Sequence, residues 1–283
     1  MKEKAYHWPR WFAASLPPSE QRLIKPGLIE KLSRANLCLW RALNIYDDFL
    51  DGEGRPETLP AANAYYRRYL EIYYRLDLSD DFFRLFDRVN ADLDAANLRE
   101  ARCPRLLIED GRVVMPRRLP EFKSLRDLSD KSLALGLGPL AIIASLGGTT
   151  TSARANTTAR LTKTLNFFRY ALAAKQFADD ARDWREDLKK GAISACNVLI
   201  LKEARRRHLS LDWKRRPIAA YLLFVAVSPK ISSRLTQLCR QTRLAGRQAG
   251  LKPRSRLLQE IIGPLERGLT ESARFRSKLR ISL

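Results

Sequence analysis

The chain has 283 residues, 45% of them hydrophobic, enough for a sizeable core and against wholesale disorder. Its 52 Lys and Arg against 31 Asp and Glu leave a net charge of +21, which favours an anionic partner: nucleic acid, acidic lipid or a diphosphate. Cys38, Cys103, Cys196 and Cys239 form no CxxC pair and His7 and His208 stand far apart, which argues against a disulfide framework, a zinc site and a Ser-His-Asp triad.

Met1 to Trp11 carries charge and aromatics but no long apolar run, unlike a signal peptide. Residues 1–18 read as a loose lead-in ending at Pro17-Pro18. Ser19 and Glu20 can start a helix, which Pro26-Gly27 interrupts. A helix is then expected from about Leu28 to Asp51. It is apolar through Leu37, Cys38, Leu39, Trp40, Ala42, Leu43, Ile45 and Tyr46, so it should be buried. It ends in Asp47-Asp48-Phe49-Leu50-Asp51-Gly52, with Asp47 and Asp51 at i, i+4 on one face. Carboxylates at the rim of an interior must be paired with cations or cost several kcal/mol.

A helix over about 58–76 places Tyr66, Tyr69 and Tyr73 on one face, either as packed core or as aromatics that shield a cation. Residues 79–102 form the next, with Ser79 as N-cap and Asp80-Asp81 in the first turn. Within 103–120, Ile108-Glu109-Asp110-Gly111-Arg112-Val113 reads as a hairpin with an Asp-Gly turn, in a surface insertion. The pattern over 127–148 is helical, with a kink expected at Gly136-Leu137-Gly138-Pro139. Gly147 to Ser152 is a loop. No stretch reaches eighteen clean apolar residues, so a cytoplasmic protein is expected, with at most peripheral contact to an anionic membrane.

The long helix over 153–190 carries the second acidic run, Gln176 to Gly191. Asp179, Asp183 and Asp187 recur at i, i+4, i+8 and stack on one face, with Asp180 at its edge. Like charges at that spacing destabilise a bare helix, so something positive must compensate. Arg182, Arg185, Lys189 and Lys190 can do so within the helix, which is the reading as a solvated charged face. Two such acidic runs facing each other would instead make a cage of hard oxygen ligands, for which Mg²⁺ is the natural ion. Further helices are expected over about 194–207, 214–227, 228–249 and 255–280. From Gly191 onward there are 20 Lys and Arg against 5 Asp and Glu, a basic face.

Asp47-Asp48-x-x-Asp51 resembles the first aspartate-rich motif of class I isoprenoid synthases. Gln176-x-x-Asp179-Asp180-x-x-Asp183 resembles the second motif of trans-prenyl diphosphate synthases. One frame over, Asp179-x-x-Arg182-Asp183-x-x-Glu186-Asp187-x-x-Lys190-Gly191 is similar to the second motif of phytoene and squalene synthases, which have Asn at the position of Asp179. Lys131-Ser132 resembles the Lys-Thr pair that grips diphosphate in prenyl diphosphate synthases. The resemblance implies an all-α, single-domain bundle around a central cavity, spanning residues 1–283. It implies Mg²⁺, three ions bound together with the diphosphate of an allylic prenyl substrate. Asp47, Asp51, Asp179 and Asp183 would be the catalytic ligands, joined at the metals by Asp48, Asp180 and Asp187. Arg182, Lys131, Lys190 and Gln176 would hold the substrate.

The reaction implied is that of a prenyltransferase, phytoene/squalene synthase-like or polyprenyl synthase-like, with a terpene cyclase as the alternative. No basic Gly-Gly-Lys-type site precedes the first motif, which favours the head-to-head-like enzymes. A helical nucleic-acid binder would also suit the +21 charge, but it needs no seven aspartates in two tight clusters. An inactive partner subunit is the third reading, and a homodimer is compatible with all of them.

Overall fold

The computed structural model describes residues 4–147 and 151–281. It is almost wholly helical, with one small hairpin as its only sheet among the described residues, so the all-α class expected from the sequence is the one observed.

Helix α1, Lys4–Ala13, replaces the expected loose lead-in. Trp8, Trp11 and Phe12 are buried, and Trp8 stacks on Phe168 with ring centroids 5.6 Å apart. Three aromatics on one helical face bury enough apolar area to offset the backbone donor missing at Pro9. The short α2, Pro18–Gln21, precedes α3, Leu28–Leu50. Only one stripe of α3 is deeply buried, through Leu32, Ala35, Leu39 and Ala42. Its last two turns are half-buried, which leaves the aspartates at a rim.

Helix α4, Leu59–Tyr74, lies along α3 and packs Tyr69 and Tyr73 into an aromatic cluster with Phe82 and Phe86 of α5, Asp80–Ala101. Both tyrosines are fully buried, and the Tyr69 hydroxyl donates to Asn90 Oδ1 at 3.2 Å. Of the two readings of this face, the structure shows packed core. Ser79 caps α5 as expected, accepting from the Phe82 amide.

Strands β1, Ile108–Glu109, and β2, Arg112–Val113, form the hairpin read from Asp110-Gly111, both of which have positive φ. The hairpin segment is more than a surface insertion. Leu106 and Val113 are buried, the Leu106 amide donates to Gly191 O at 2.7 Å, and the Val113 amide donates to Leu211 O at 2.8 Å.

The expected kinked helix is instead three pieces: α6, Arg126–Ser129, a 3-10 turn over Leu133–Gly136, and α7, Leu137–Ser145. Pro139 sits in the first turn of α7, where its missing amide has no carbonyl to serve. Leu137 through Ala144 are all buried, so α7 runs through the interior. A side chain at Gly138 would strike Pro9 at 2.8 Å, so this glycine permits α7 to approach α1. The Gly147 to Ser152 loop lies partly outside the described residues.

Helix α8, Thr151–Lys189, is the long spine, followed by α9, Ala195–Arg206. Helix α10, Pro217–Gln248, is one element where two were expected. Pro229 strips the Val225 carbonyl of its usual donor, and the Ser228 hydroxyl takes that place at 2.9 Å, so the helix continues. Helix α11, Arg256–Ile281, closes the described chain.

Candidate functional site

The two aspartate runs end in the same way and at the same place. After Asp51, Gly52 adopts φ 78°, the Glu53 amide donates to Asp48 O at 2.8 Å and the Gly52 amide to Phe49 O at 3.1 Å. After Lys190, Gly191 adopts φ 75°, the Ala192 amide donates to Asp187 O at 2.8 Å and the Gly191 amide to Leu188 O at 3.2 Å. Each helix is thus stopped by a left-handed glycine that satisfies otherwise orphaned carbonyls. Gly191 has no substitute, because a Cβ there would lie 2.5 Å from Leu106 O.

Arg105 ties the two ends together. Its guanidinium donates to Leu50 O at the end of α3 and, at 3.4 Å, to Lys190 O beyond the end of α8. A cation here also suits the negative ends of two helix dipoles. Lys131 fastens the first run to a third helix. It bridges Asp47 of α3 and Glu100 of α5, the latter at 2.5 Å. Burial acts to lower the Lys131 pKa, but Glu100 and Asp47 outweigh it and leave it raised. Lys190 pairs with Glu53, just past the first run. The structure therefore brings both runs to one corner, 128 residues apart by the numbering of Asp51 and Asp179.

Within that corner the aspartates divide into three groups. Asp179, Asp183 and Asp47 are ion-paired. Arg182 reaches Asp179 at 3.0 Å and holds both oxygens of Asp183 at 3.1 Å, and Lys175 adds a second contact to Asp179. Asp180 is buried and works inward. It accepts from Gln176 Nε2 at 2.8 Å and from the Ala195 amide at 3.2 Å, pinning the start of α9. Both oxygens are engaged inside the fold, so Asp180 and Gln176 serve here as hydrogen-bonding partners of each other and of α9.

Asp51 and Asp187 form the third group, with Asp48; Asp48 and Asp51 are exposed at the surface and Asp187 is half-buried. None of the three carboxylates has a hydrogen bond or ion pair among the described residues. Burial first, then the charges of Asp180, Asp183 and Asp51, push Asp187 up to about 6. Burial and the neighbouring Asp47 raise Asp51 as well, against the pull of Lys131, Arg105 and Lys190. Asp180 is likewise pushed to about 6, chiefly by burial. One carboxylate from each run thus has no hydrogen bond or ion pair among the described residues, and burial together with a neighbouring carboxylate raises its pKa.

Protein ligands alone do not complete a metal site: among the described residues, no three His, Cys, Asp or Glu side chains gather closely enough to hold a metal ion. Mg²⁺ does not require that, since it commonly takes one or two carboxylates and fills its shell with water and phosphate oxygens. Sequence reasoning missed Glu53, Glu100, Arg105 and Lys175. Lys175 was legible as i−4 to Asp179; the other three come from segments with no local signature.

Open space lies beside the corner. A groove of about 780 Å³ runs between α9 and α10, with Phe122, Val198, Leu199 and Pro229 as apolar lining and Lys202, Lys230 and Arg234 as cations. None of the aspartates lines it. Ala195 does, and its amide is the one that binds Asp180.

No protein-family model matches this chain, and no curated protein matches it.

Proposed function

We propose that the chain is a Mg²⁺-dependent class I isoprenoid synthase that ionises an allylic prenyl diphosphate, as a prenyltransferase of the phytoene/squalene synthase-like or polyprenyl synthase-like kind. The observation that supports this is the unpartnered pair Asp51 and Asp187, one from each motif, at a corner where Arg105 and the Lys190–Glu53 pair tie the ends of the motif helices together.

Asp51 and Asp187, with Asp47 and Asp183, are the carboxylates that would hold Mg²⁺. When bound, the metal supplies charge neutralisation for the departing diphosphate. The chain's own cations are Lys131, Arg182 and Lys190, each now on a carboxylate. A diphosphate offers them better-matched anionic oxygens, bidentate for Arg182, and releases Asp47 and Asp183 to the metal. The diphosphate would take up the cations and the Mg²⁺ ions the carboxylates, so neither set would be left bare. The groove that begins at Ala195 offers apolar lining for the hydrocarbon through Phe122, Val198, Leu199 and Pro229.

The test is mass spectrometry of products from farnesyl and geranylgeranyl diphosphate, with Mg²⁺, with and without isopentenyl diphosphate. A dimeric or lengthened prenyl product supports the proposal. A cyclic hydrocarbon would move the reading to terpene cyclase, and no Mg²⁺-dependent diphosphate release would reject it.

A further inference from the structure

The first half of α10 leaves an apolar face in water. Ile218, Tyr221, Leu222 and Val225 are 53–69% exposed, and their i, i+3, i+4, i+7 spacing puts them on one side of the helix. The other side, through Leu223 and Val227, is buried against the body of the protein. An exposed run of four large apolar residues marks a contact surface rather than scattered surface hydrophobics.

The charge around it is one-sided. Helix α10 holds no Asp or Glu in its 32 residues. From Arg205 to Arg256 the chain carries 14 Lys and Arg and a single acid, Asp212. Arg215 and Arg216, at the mouth of the helix, are exposed and form no ion pair among the described residues. A second copy of the chain is a poor occupant, because pairing this face with itself would oppose two strongly basic surfaces.

By length and composition Ile218–Gln248 is apolar enough to cross a membrane. A crossing would tear Leu223 and Val227 out of the core, so the helix suits lying along an interface, apolar side down and basic residues at headgroup depth. We infer that this face of α10 docks the protein on the surface of an anionic bilayer.

The dock would adjoin the candidate site. Trp184, between Asp183 and Arg185 on α8, stacks on Phe224 at 4.7 Å and meets the edge of Tyr221 at 5.8 Å. The same side of α10 continues to Pro229 and Ser233, which line the groove. An amphiphile leaving the bilayer would find that groove first. The inference does not require the enzymatic reading and stands or falls without turnover.

Flotation of the full chain with vesicles tests it. The wild type should float with vesicles of phosphatidylcholine and phosphatidylglycerol and stay behind with phosphatidylcholine alone. Ile218→Asp/Leu222→Asp should weaken that binding by about tenfold or more, and so should Arg215→Glu/Arg216→Glu. All four positions are exposed, so both variants should melt like the wild type, which separates lost binding from lost folding. Equal flotation of the wild type and the Asp variant would overturn the proposal. So would a wild type that ignores both vesicles, or a concentration-dependent dimer that Leu222→Asp dissolves without any vesicle binding.

Discussion

The acidic corner and the face of α10 are opposite solutions to placing like charge. At the corner, carboxylates from α3, α5 and α8 are drawn together and partly desolvated, and the fold threads Lys131, Arg105 and Lys190 among them. Even so, Asp187 is left with a pKa of about 6. On α10 Lys230, Arg240 and Arg247 stand in water, where separation and salt screen them and little needs balancing. Charge that costs stability marks the corner as a place kept for something absent from the chain itself. Charge that costs little marks α10 as a surface for collecting an anionic neighbour.

The sharpest way to break that contrast is to remove the corner's unpartnered carboxylates. Asp51→Ala and Asp187→Ala should each lower Mg²⁺-dependent diphosphate release by about 100-fold or more, since metal stabilisation of a leaving group is worth several kcal/mol. Melting temperature should hold or rise in the same variants. Activity that survives either change would make the corner a structural knot.

Within α10 the two sides can be set against each other. Leu223→Ala should cost about 3 kcal/mol in chemical denaturation, as for a buried leucine, while Leu222→Ala should stay within about 0.5 kcal/mol. Comparable losses would mean that the exposed face is covered in solution.

At the end of α8, Gly191→Ala should destabilise by at least about 1 kcal/mol, from the left-handed backbone alone, with more from the clash at Leu106 O. Gly250, at φ 83° after α10, has open space around its Cβ position and should show the backbone cost only. A denaturation series on both separates strain from crowding.

The smallest effect is the pH dependence of the corner. Asp187 has a folded pKa near 6, above the ordinary 3.8, so the folded state holds its proton more tightly than the unfolded one. Its contribution to stability is fully present below about pH 3.8 and is lost as pH rises through about 6. For a half-buried group the difference is about 1 kcal/mol after allowing for solvent screening. Thermal melts of the metal-free protein at pH 5 and pH 7 should therefore differ less in Asp187→Asn than in the wild type, with Asp187→Asn the more stable at pH 7.

Much of this was legible because it is local. The ends of α3 and α8 could be read within about two residues, since Gly52 and Gly191 stop helices that have no interior proline. Ser79 and the Asp110-Gly111 turn were readable for the same reason. What local pattern hid was compensated from elsewhere. Residues 1–18 read as a loose lead-in, but the aromatics of α1 find Phe168. Two helices were expected over 214–227 and 228–249, but Ser228 supplies the donor missing at Pro229 and the helix continues. The two aspartate runs could be named as partners, but nothing in either one announces Arg105, which joins them from a separate segment. Asp180, at the edge of the acidic face, finds a partner that spacing could not announce: the amide of Ala195 draws it into the fold.

Calorimetric titration of Mg²⁺ with inorganic diphosphate addresses the central claim most directly, because it asks whether the two runs act as one site. The wild type at pH 7 should bind the pair together and bind neither strongly alone, with binding lost in both Asp51→Asn and Asp187→Asn. Binding that persists in both variants, or that fails in only one of them, would show that the two acidic runs do not share a cation.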